Sequence, residues 1–425
     1  MNPSRAVACG AVDQPTLLHT DVLVVGAGPA GTSAAVWLAR GAMSVTVIDK
    51  AVFPRDKCCG DGLTTLALRE LEPIGLRPDM VPNWSSVGAA WLRSPSGREV
   101  CLPMPSDGLF AATAPRRELD AALLRLARDA GAEVLEGCAL VEVTPRGGHV
   151  DASVEGPGVA GPSVVRARYL VAADGMWSPT RRLLGMTEPG YRGEWHAIRQ
   201  YAHHVTGPAA DRLYVWFEPD LLPGYAWSFP LPGGRANIGF GVVRDGTLSG
   251  HDVNQLWAGL LKRPHIAASL GPDVELEGRS AAWPIPASID RAALSAGRVL
   301  FVGDAARATD VMTGEGIGQA LLTGRLAAEA ILSTPQGPGP TYEMAVKREL
   351  LADHRMSKLL TRLLARPLLA RGAVWVVGFN DFTRRNFVRW MFEDEPRAIA
   401  FTPRRWHRHF LRRSAPYPHP TPSEC

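Results

Sequence analysis

The sequence predicts an α/β chain with α+β elements, in which a parallel-strand lobe is interleaved with an antiparallel-sheet lobe and followed by a helical C-terminal region. Three observations predict it. Two short β-branched runs, Asp21-Val-Leu-Val-Val25 and Ser44-Val-Thr-Val-Ile48, flank an Ala-rich stretch of helix formers, the pattern of a buried strand, turn, helix, strand unit. Apolar residues alternate between Tyr191 and Val243 with Pro-Gly turns at Pro223-Gly224 and Pro232-Gly233-Gly234, as in an antiparallel sheet. A late buried run, Arg298-Val-Leu-Phe-Val302, then returns the chain to the first lobe. At about 100–200 residues per domain, 425 residues accommodate two or three such lobes.

Taken in order, residues 1–20 mix Pro, Ser, Asn and Gln without periodicity and predict a disordered leader. A strand from Asp21 leads through a Gly-rich turn into a helix over Ala30–Arg40, then into a strand ending at Asp49. Pro115–Ala130 reads as a helix with Leu119, Leu123, Leu126 and Ala127 on one face, Glu133–Val143 as one strand, and Ser163–Ala172 as another. Residues 21–80, 110–185 and 295–335 are assigned to the first lobe, 81–109 and 186–294 to the second. A helix over Ile317–Leu332 closes the first lobe. The helical region spans 336–415, and the Pro-rich residues 416–425 read as a disordered tail. Within it, Met356, Leu359, Leu360, Leu363, Leu364 and Leu368 recur at helical spacing, while Arg355, Lys358, Arg362 and Arg366 take another side. Such a helix either packs its leucines on the lobe beneath or lies on an anionic membrane.

Composition excludes several classes. With 46% hydrophobic and 21% charged residues the chain has ordinary globular usage. A net charge of +4 is too small to argue for nucleic acid. The charge is uneven, however: from Thr341 onward there are 16 Lys/Arg against 8 Asp/Glu, and 30 against 34 before it. Six cysteines in so long a chain make no disulfide framework, and no C-x-x-C pair suggests a metal site. No metal is expected. No run approaches the ~20 apolar residues of a membrane span, so a cytoplasmic protein with room for peripheral membrane contact is expected; nothing fixes its oligomeric state.

Gly26-Ala27-Gly28-Pro29-Ala30-Gly31 is a G-x-G-x-x-G between a strand and a helix, with Asp49 about 20 residues on and Lys50 beside it. The glycines permit a tight turn and close approach to a pyrophosphate, which the helix N-terminal amides receive. Asp49 suits a ribose hydroxyl. The unit is therefore of the Rossmann type.

Val302-Gly303-Asp304-Ala305-Ala306-Arg307, followed by Thr313-Gly314-Glu315-Gly316-Ile317, resembles the second flavin-contacting segment of flavoproteins with the p-hydroxybenzoate hydroxylase fold. The resemblance implies FAD as cofactor, Asp304 on its ribityl chain, and the amides of Gly314, Gly316 and Ile317 facing the flavin. Arg116 matches the family arginine near the pyrophosphate, and Asp174, in Ala173-Asp174-Gly175, the aspartate of the family's Asp-Gly motif. Tyr225-Ala-Trp227-Ser-Phe229-Pro230, then eight residues, then Gly239-Phe-Gly241, is similar to a pattern of geranylgeranyl reductases. There it borders a lipid pocket. Alternation puts Tyr225, Trp227 and Phe229 on one strand face, an aromatic wall for an apolar chain or else simply sheet core.

Phe53-Pro-Arg-Asp-Lys-Cys-Cys59-Gly-Asp-Gly-Leu63 resembles a segment shared by geranylgeranyl reductases and flavin halogenases. By alignment Cys59 is the cysteine placed near the reacting alkene, where a thiol could deliver a proton; the other reading is a small buried hydrophobe. The W-x-W-x-I-P motif of halogenases is absent. Where the family commonly has proline ahead of the Thr-Gly-Glu-Gly turn, this chain has Asp310-Val311-Met312. The resemblance implies an FAD-dependent oxidoreductase that reduces C=C bonds of a polyprenyl or other long apolar substrate, drawing electrons from NAD(P)H or another donor. The alternatives are a monooxygenase, epoxidase or halogenase-like tailoring enzyme, and a cyclase with FAD in a structural role.

Overall fold

The computed structural model describes residues 16–157, 159, 163–244, 250–398, 402 and 415–418. The chain forms β1 (Thr16–Val25), α1 (Pro29–Arg40), β2 (Val45–Asp49), α2 (Thr65–Ile74), β3 (Ala89–Arg93), β4 (Glu99–Pro103) and α3 (Arg116–Asp129). There follow β5 (Glu133–Glu136), β6 (Ala139–Pro145), β7 (Val150–Glu155), β8 (Ser163–Ala172) and α4 (Pro179–Leu183). The second sheet takes β9 (Trp195–His203), β10 (Leu213–Trp216), β11 (Tyr225–Leu231), β12 (Arg235–Val243) and β13 (Glu275–Ile285). The chain ends with β14 (Ser295–Ala296), β15 (Val299–Phe301), α5 (Ile317–Ser333), α6 (Pro338–Val346), α7 (Ala352–Leu364), α8 (Pro367–Val377) and α9 (Asp381–Met391).

The α/β class with its antiparallel second sheet and C-terminal helices is as the sequence predicts. One sheet has the order β14-β15-β8-β1-β2-β5, with β7 and β6 continuing from β8. β1 lies between β2 and β8, both parallel to it. Its C-terminal part, Val22–Val25, is covered on both faces and apolar, and Val22, Leu23 and Val24 are fully buried. Each such side chain contributes about 1.5–3 kcal/mol of burial. The second sheet has the order β13-β9-β12-β11-β10-β3-β4, antiparallel except for β10 with β3.

Four expectations need correction. Thr16–Thr20, inside the stretch expected to be a leader, are strand and pair with Ser163–Ala167 along β8; residues 1–15 lie outside the described residues. The strand read over Glu133–Val143 is two, broken where Gly137 adopts φ +70° and Cys138 N–H donates to the Asp49 carbonyl at 2.8 Å. Within the tail, Pro416 and Tyr417 are packed: the Leu109 amide donates to the Pro416 carbonyl at 3.0 Å, and the Tyr417 hydroxyl donates to the Leu76 carbonyl at 2.7 Å. The helix expected from the spacing of Met356 to Leu368 also breaks before Pro367, whose missing N–H and fixed φ begin α8 instead. Cys58, Cys59 and Cys138 are free thiols, whereas Cys101 is disulfide-bonded, a bond the cysteine spacing did not suggest.

Candidate active site

The turn between β1 and α1 is built from glycine for steric reasons. Gly26 has φ +102°, and a Cβ there would meet the Ala173 carbonyl oxygen at 2.4 Å. On Gly31 a Cβ would lie 1.8 Å from the Gly26 oxygen. Gly303 brings β15 against α1, since its Cβ would sit 3.0 Å from that of Ala30. The helix opens at Gly28 with no side-chain cap, leaving its first amides for a ligand.

Two guanidinium groups, from Arg55 and Arg116, stand beside that turn: one Nη2 of each lies 3.8 and 3.9 Å from the Cβ position of Gly28. Both are held by Asp120, buried beneath them, through Arg55 Nη1 at 2.8 Å and Arg116 Nε and Nη2 at 2.8 Å. Two cations on one anion leave a net positive charge at the turn. Glycine cradle, free helix amides and paired arginines fit a dinucleotide pyrophosphate.

Asp49 reaches the same turn. Its carboxylate accepts from the Ala27 amide (2.8 Å) and the Ala51 amide (2.8 Å), so it shapes the turn as well as facing it; Lys50 is exposed beside it. Asp174 has a local task too. It accepts from the Ser178 hydroxyl (2.6 Å) and the Thr180 amide (2.7 Å), fixing the start of α4, and burial raises its pKa. Asp304 follows β15 and accepts from Thr309 Oγ1 at 3.2 Å.

The loop from Thr309 to Ile317 is organised by Asp310. One carboxylate oxygen accepts from the amides of Met312 (3.0 Å) and Thr313 (2.8 Å) and from the Thr313 hydroxyl (2.9 Å). The other accepts from Ser357 Oγ of α7 at 3.0 Å and from Arg397. The loop then turns at Gly314, φ +71°, and enters α5 through Gly316 and Ile317.

The aromatic strand explains its own spacing. In the β11–β12 register Tyr225 faces Gly241, Trp227 faces Gly239 and Phe229 faces Asn237. A Cβ on Gly239 would lie 2.3 Å from Trp227 Cζ2. Gly239 is the room the Trp227 ring needs. Pro230 accepts from the Thr113 hydroxyl at 2.6 Å. Trp227 is sheet core, donating to Asn237 Oδ1 at 3.2 Å, while Tyr225 and Phe229 line a cavity.

The Cys59 loop folds onto these rings. Gly62 fits because a Cβ there would lie 2.9 Å from Phe229 Cε2. Asp61, φ +63°, is the loop's anchor, accepting from the Tyr201 hydroxyl (2.6 Å), Asn237 Nδ2 (2.8 Å) and the Arg116 amide (3.1 Å). Burial lifts its pKa to about 6 against those donors. The Cys59 sulfur accepts from the Asp61 amide at 3.3 Å, and burial pushes its pKa to about 12, with Arg116 opposing. Cys59 is thus a neutral thiol beside the cavity rather than in its wall. Lys57 places Nζ 3.2 Å from the Trp283 ring centre; burial brings its pKa down to about 8, against the pull of Asp304.

The cavity, about 190 Å³, runs between the second sheet and the helices α7, α8 and α9. Leu92, Leu213, Val215 and Phe217 form one wall, Leu360, Leu364, Val374 and Val377 the other. Gly62, Thr313 and Glu315 close one end, next to the turn that follows β15. Among the described residues Glu315 is the one carboxyl in this wall; its Oε1 is 3.6 Å from the Cβ position of Gly62. Burial, reinforced by the nearby Glu393 and Asp310 charges, raises its pKa to about 8.

Sequence reading did not single out Arg55, Lys57, Asp61, Tyr201, Asn237 or Glu315. Arg55, Lys57, Asp61 and Glu315 lie inside the motifs named above, and a motif does not say which way its side chains point. Tyr201 and Asn237 carry no local signal. Among the described residues, His203, His204 and Glu275 have ligand atoms within 4.8 Å of one another at the edge of the second sheet, away from this site.

The FAD binding domain family matches residues 19–326. Menaquinone reductase of Mycolicibacterium smegmatis is 35% identical over 345 residues, 74% of this chain and 77% of that protein. Digeranylgeranylglycerophospholipid reductase 2 of Methanopyrus kandleri is 31% identical over 315 residues, 73% and 76% of the two chains. A geranylgeranyl bacteriochlorophyll reductase-like protein from Thermoplasma acidophilum superposes with a TM-score of 0.75 at 22% identity, over 91% of this chain and 99% of that one. A flavin-dependent brominase superposes at 0.71 with 20% identity, over 91% and 98%. The last two show a shared fold.

Proposed function

We propose, on the premise that the chain belongs to the FAD binding domain family and is an FAD-dependent oxidoreductase, that it reduces a C=C bond in the polyprenyl tail of a long apolar substrate such as a quinone. The observation that carries this is the apolar cavity ending at Gly62, Thr313 and Glu315, beside the loop whose residues match the flavin-contacting segment. Arg55, Arg116 and the turn at Gly26–Gly31 would hold the pyrophosphate, and Asp304 with the Gly314–Ile317 amides the remainder of the cofactor. Bound and reduced, by NAD(P)H or another donor, FAD supplies the hydride.

The chain's own residues do the rest. Phe229 and Tyr225 press the substrate chain toward the closed end, and the aliphatic walls keep water from it. The second alkene carbon needs a proton, and two neutral acids stand at that end: the Cys59 thiol and the Glu315 carboxyl. Glu315 holds its proton up to about pH 8, a value suited to a general acid near neutrality. Loss of the true donor lowers turnover about a hundredfold, so comparing Cys59→Ala with Glu315→Gln identifies it.

The test uses anaerobically reduced holoenzyme mixed with a polyprenyl quinone or geranylgeraniol, following flavin absorbance and product mass. Reoxidation by geranylgeraniol, or by a polyprenyl quinone whose product keeps a gain of two mass units after its ring is returned to the quinone, supports the reading. Product formation only in the presence of oxygen assigns the chain to the oxygenase alternative instead.

A further inference from the structure

The helices that wall the cavity are apolar on both sides. α8 buries Ala370, Val374 and Val377 yet leaves Leu368 76%, Trp375 54% and Val376 54% exposed. The turn after it and the start of α9 add Phe379 and Phe382, each 65% exposed, and α7 adds Leu359 and Leu363 on the side away from the cavity. An amphipathic surface helix presents polar residues outward, and a monomer rarely exposes so many large apolar side chains together. Among the described residues no helix is long and apolar enough to cross a membrane.

Charge identifies what covers the patch. Between Ala352 and Met391 there are eight Lys/Arg against two Asp/Glu. Arg362 leaves α7, Arg366 takes the N-cap position of α8 and Arg371 leaves α8, and all three are exposed. Large apolar side chains bordered by arginine, on helices too short to span, match an interfacial surface for an anionic bilayer. A second copy of the same basic surface would bring arginines against arginines.

We propose that α7, α8 and the start of α9 dock on an anionic phospholipid surface, with Leu368, Trp375, Phe379 and Phe382 entering the headgroup boundary. One helix layer, about 10 Å thick, then separates lipid from the cavity, which shortens the path of a membrane-dissolved substrate. The inference goes beyond the reductase reading: it rests on the outer face alone, and its test does not measure turnover.

The full FAD-loaded chain is sedimented with vesicles of phosphatidylcholine alone and of phosphatidylcholine with phosphatidylglycerol. Binding to the anionic vesicles that weakens with salt, and quenching by brominated lipid that Trp375→Phe reduces, are the expected results. Leu368→Asp/Phe379→Asp/Phe382→Asp abolishes binding and Arg362→Glu/Arg366→Glu/Arg371→Glu lowers it at least about tenfold, both with unchanged melting temperature and flavin spectrum. Equal binding by parent and either variant overturns the proposal. So does a parent that ignores vesicles while its size in solution falls on introducing the aspartates, which makes the patch an interface between copies of the chain.

Discussion

Glu315 shows how one residue acquires its chemistry from its surroundings. An ordinary glutamate, with pKa 4.5, is ionised at neutral pH; here burial and two acidic neighbours raise it to about 8. The folded chain therefore keeps a proton that the unfolded chain gives up as pH rises past 4.5. The stabilisation this proton brings is complete below pH 4.5 and is lost as pH climbs through 8. Glu315→Gln removes that loss, so its melting temperature will fall less than the parent's between pH 5 and pH 8.5. Scanning calorimetry of both proteins across that range checks it, and identical slopes would refute the assignment. Asp310 makes a second point at this scale. A single carboxylate oxygen, accepting from the Met312 and Thr313 amides, fixes the turn of this loop.

At the scale of elements, the β11–β12 hairpin and the α8 wall govern the cavity. Ala373 lines it from α8. Ala373→Phe will fill part of the volume, raising KM for a long-chain substrate about tenfold while the flavin content of the purified protein is unchanged; a short-chain analogue will be affected less. Steady-state kinetics with the two substrates reads this directly. Elements were also where the sequence was most legible. β1, α1 and β2 are set by a local apolar period, and the opposed aromatics and glycines of β11 and β12 by direct sterics, so both could be read without coordinates. The break at Gly137 and the start of β1 at Thr16 could not, since each is decided by a partner distant in sequence: Asp49 in the first case and Ser163–Ala167 in the second. The same reason hid Tyr201 and Asn237, which meet Asp61 across 140 and 176 residues of chain.

At the scale of the whole molecule, the C-terminal region is part of the site. It supplies one wall of the cavity, and through Ser357 and Arg397 it grips the loop at Asp310. Both members of the Asp310–Arg397 pair are buried, so removing one leaves a charge without its counterpart, at a cost of about 3–5 kcal/mol. Arg397→Met will lower the melting temperature by several degrees and Asp310→Asn/Arg397→Met will recover part of it, which thermal unfolding of the two variants establishes. Because one carboxylate oxygen of Asp310 shapes the loop while the other holds the helices, the two behave as parts of a single lever. Any displacement of the helices at Ser357 or Arg397 would act on the same carboxylate that holds the Met312 and Thr313 amides ahead of Gly314.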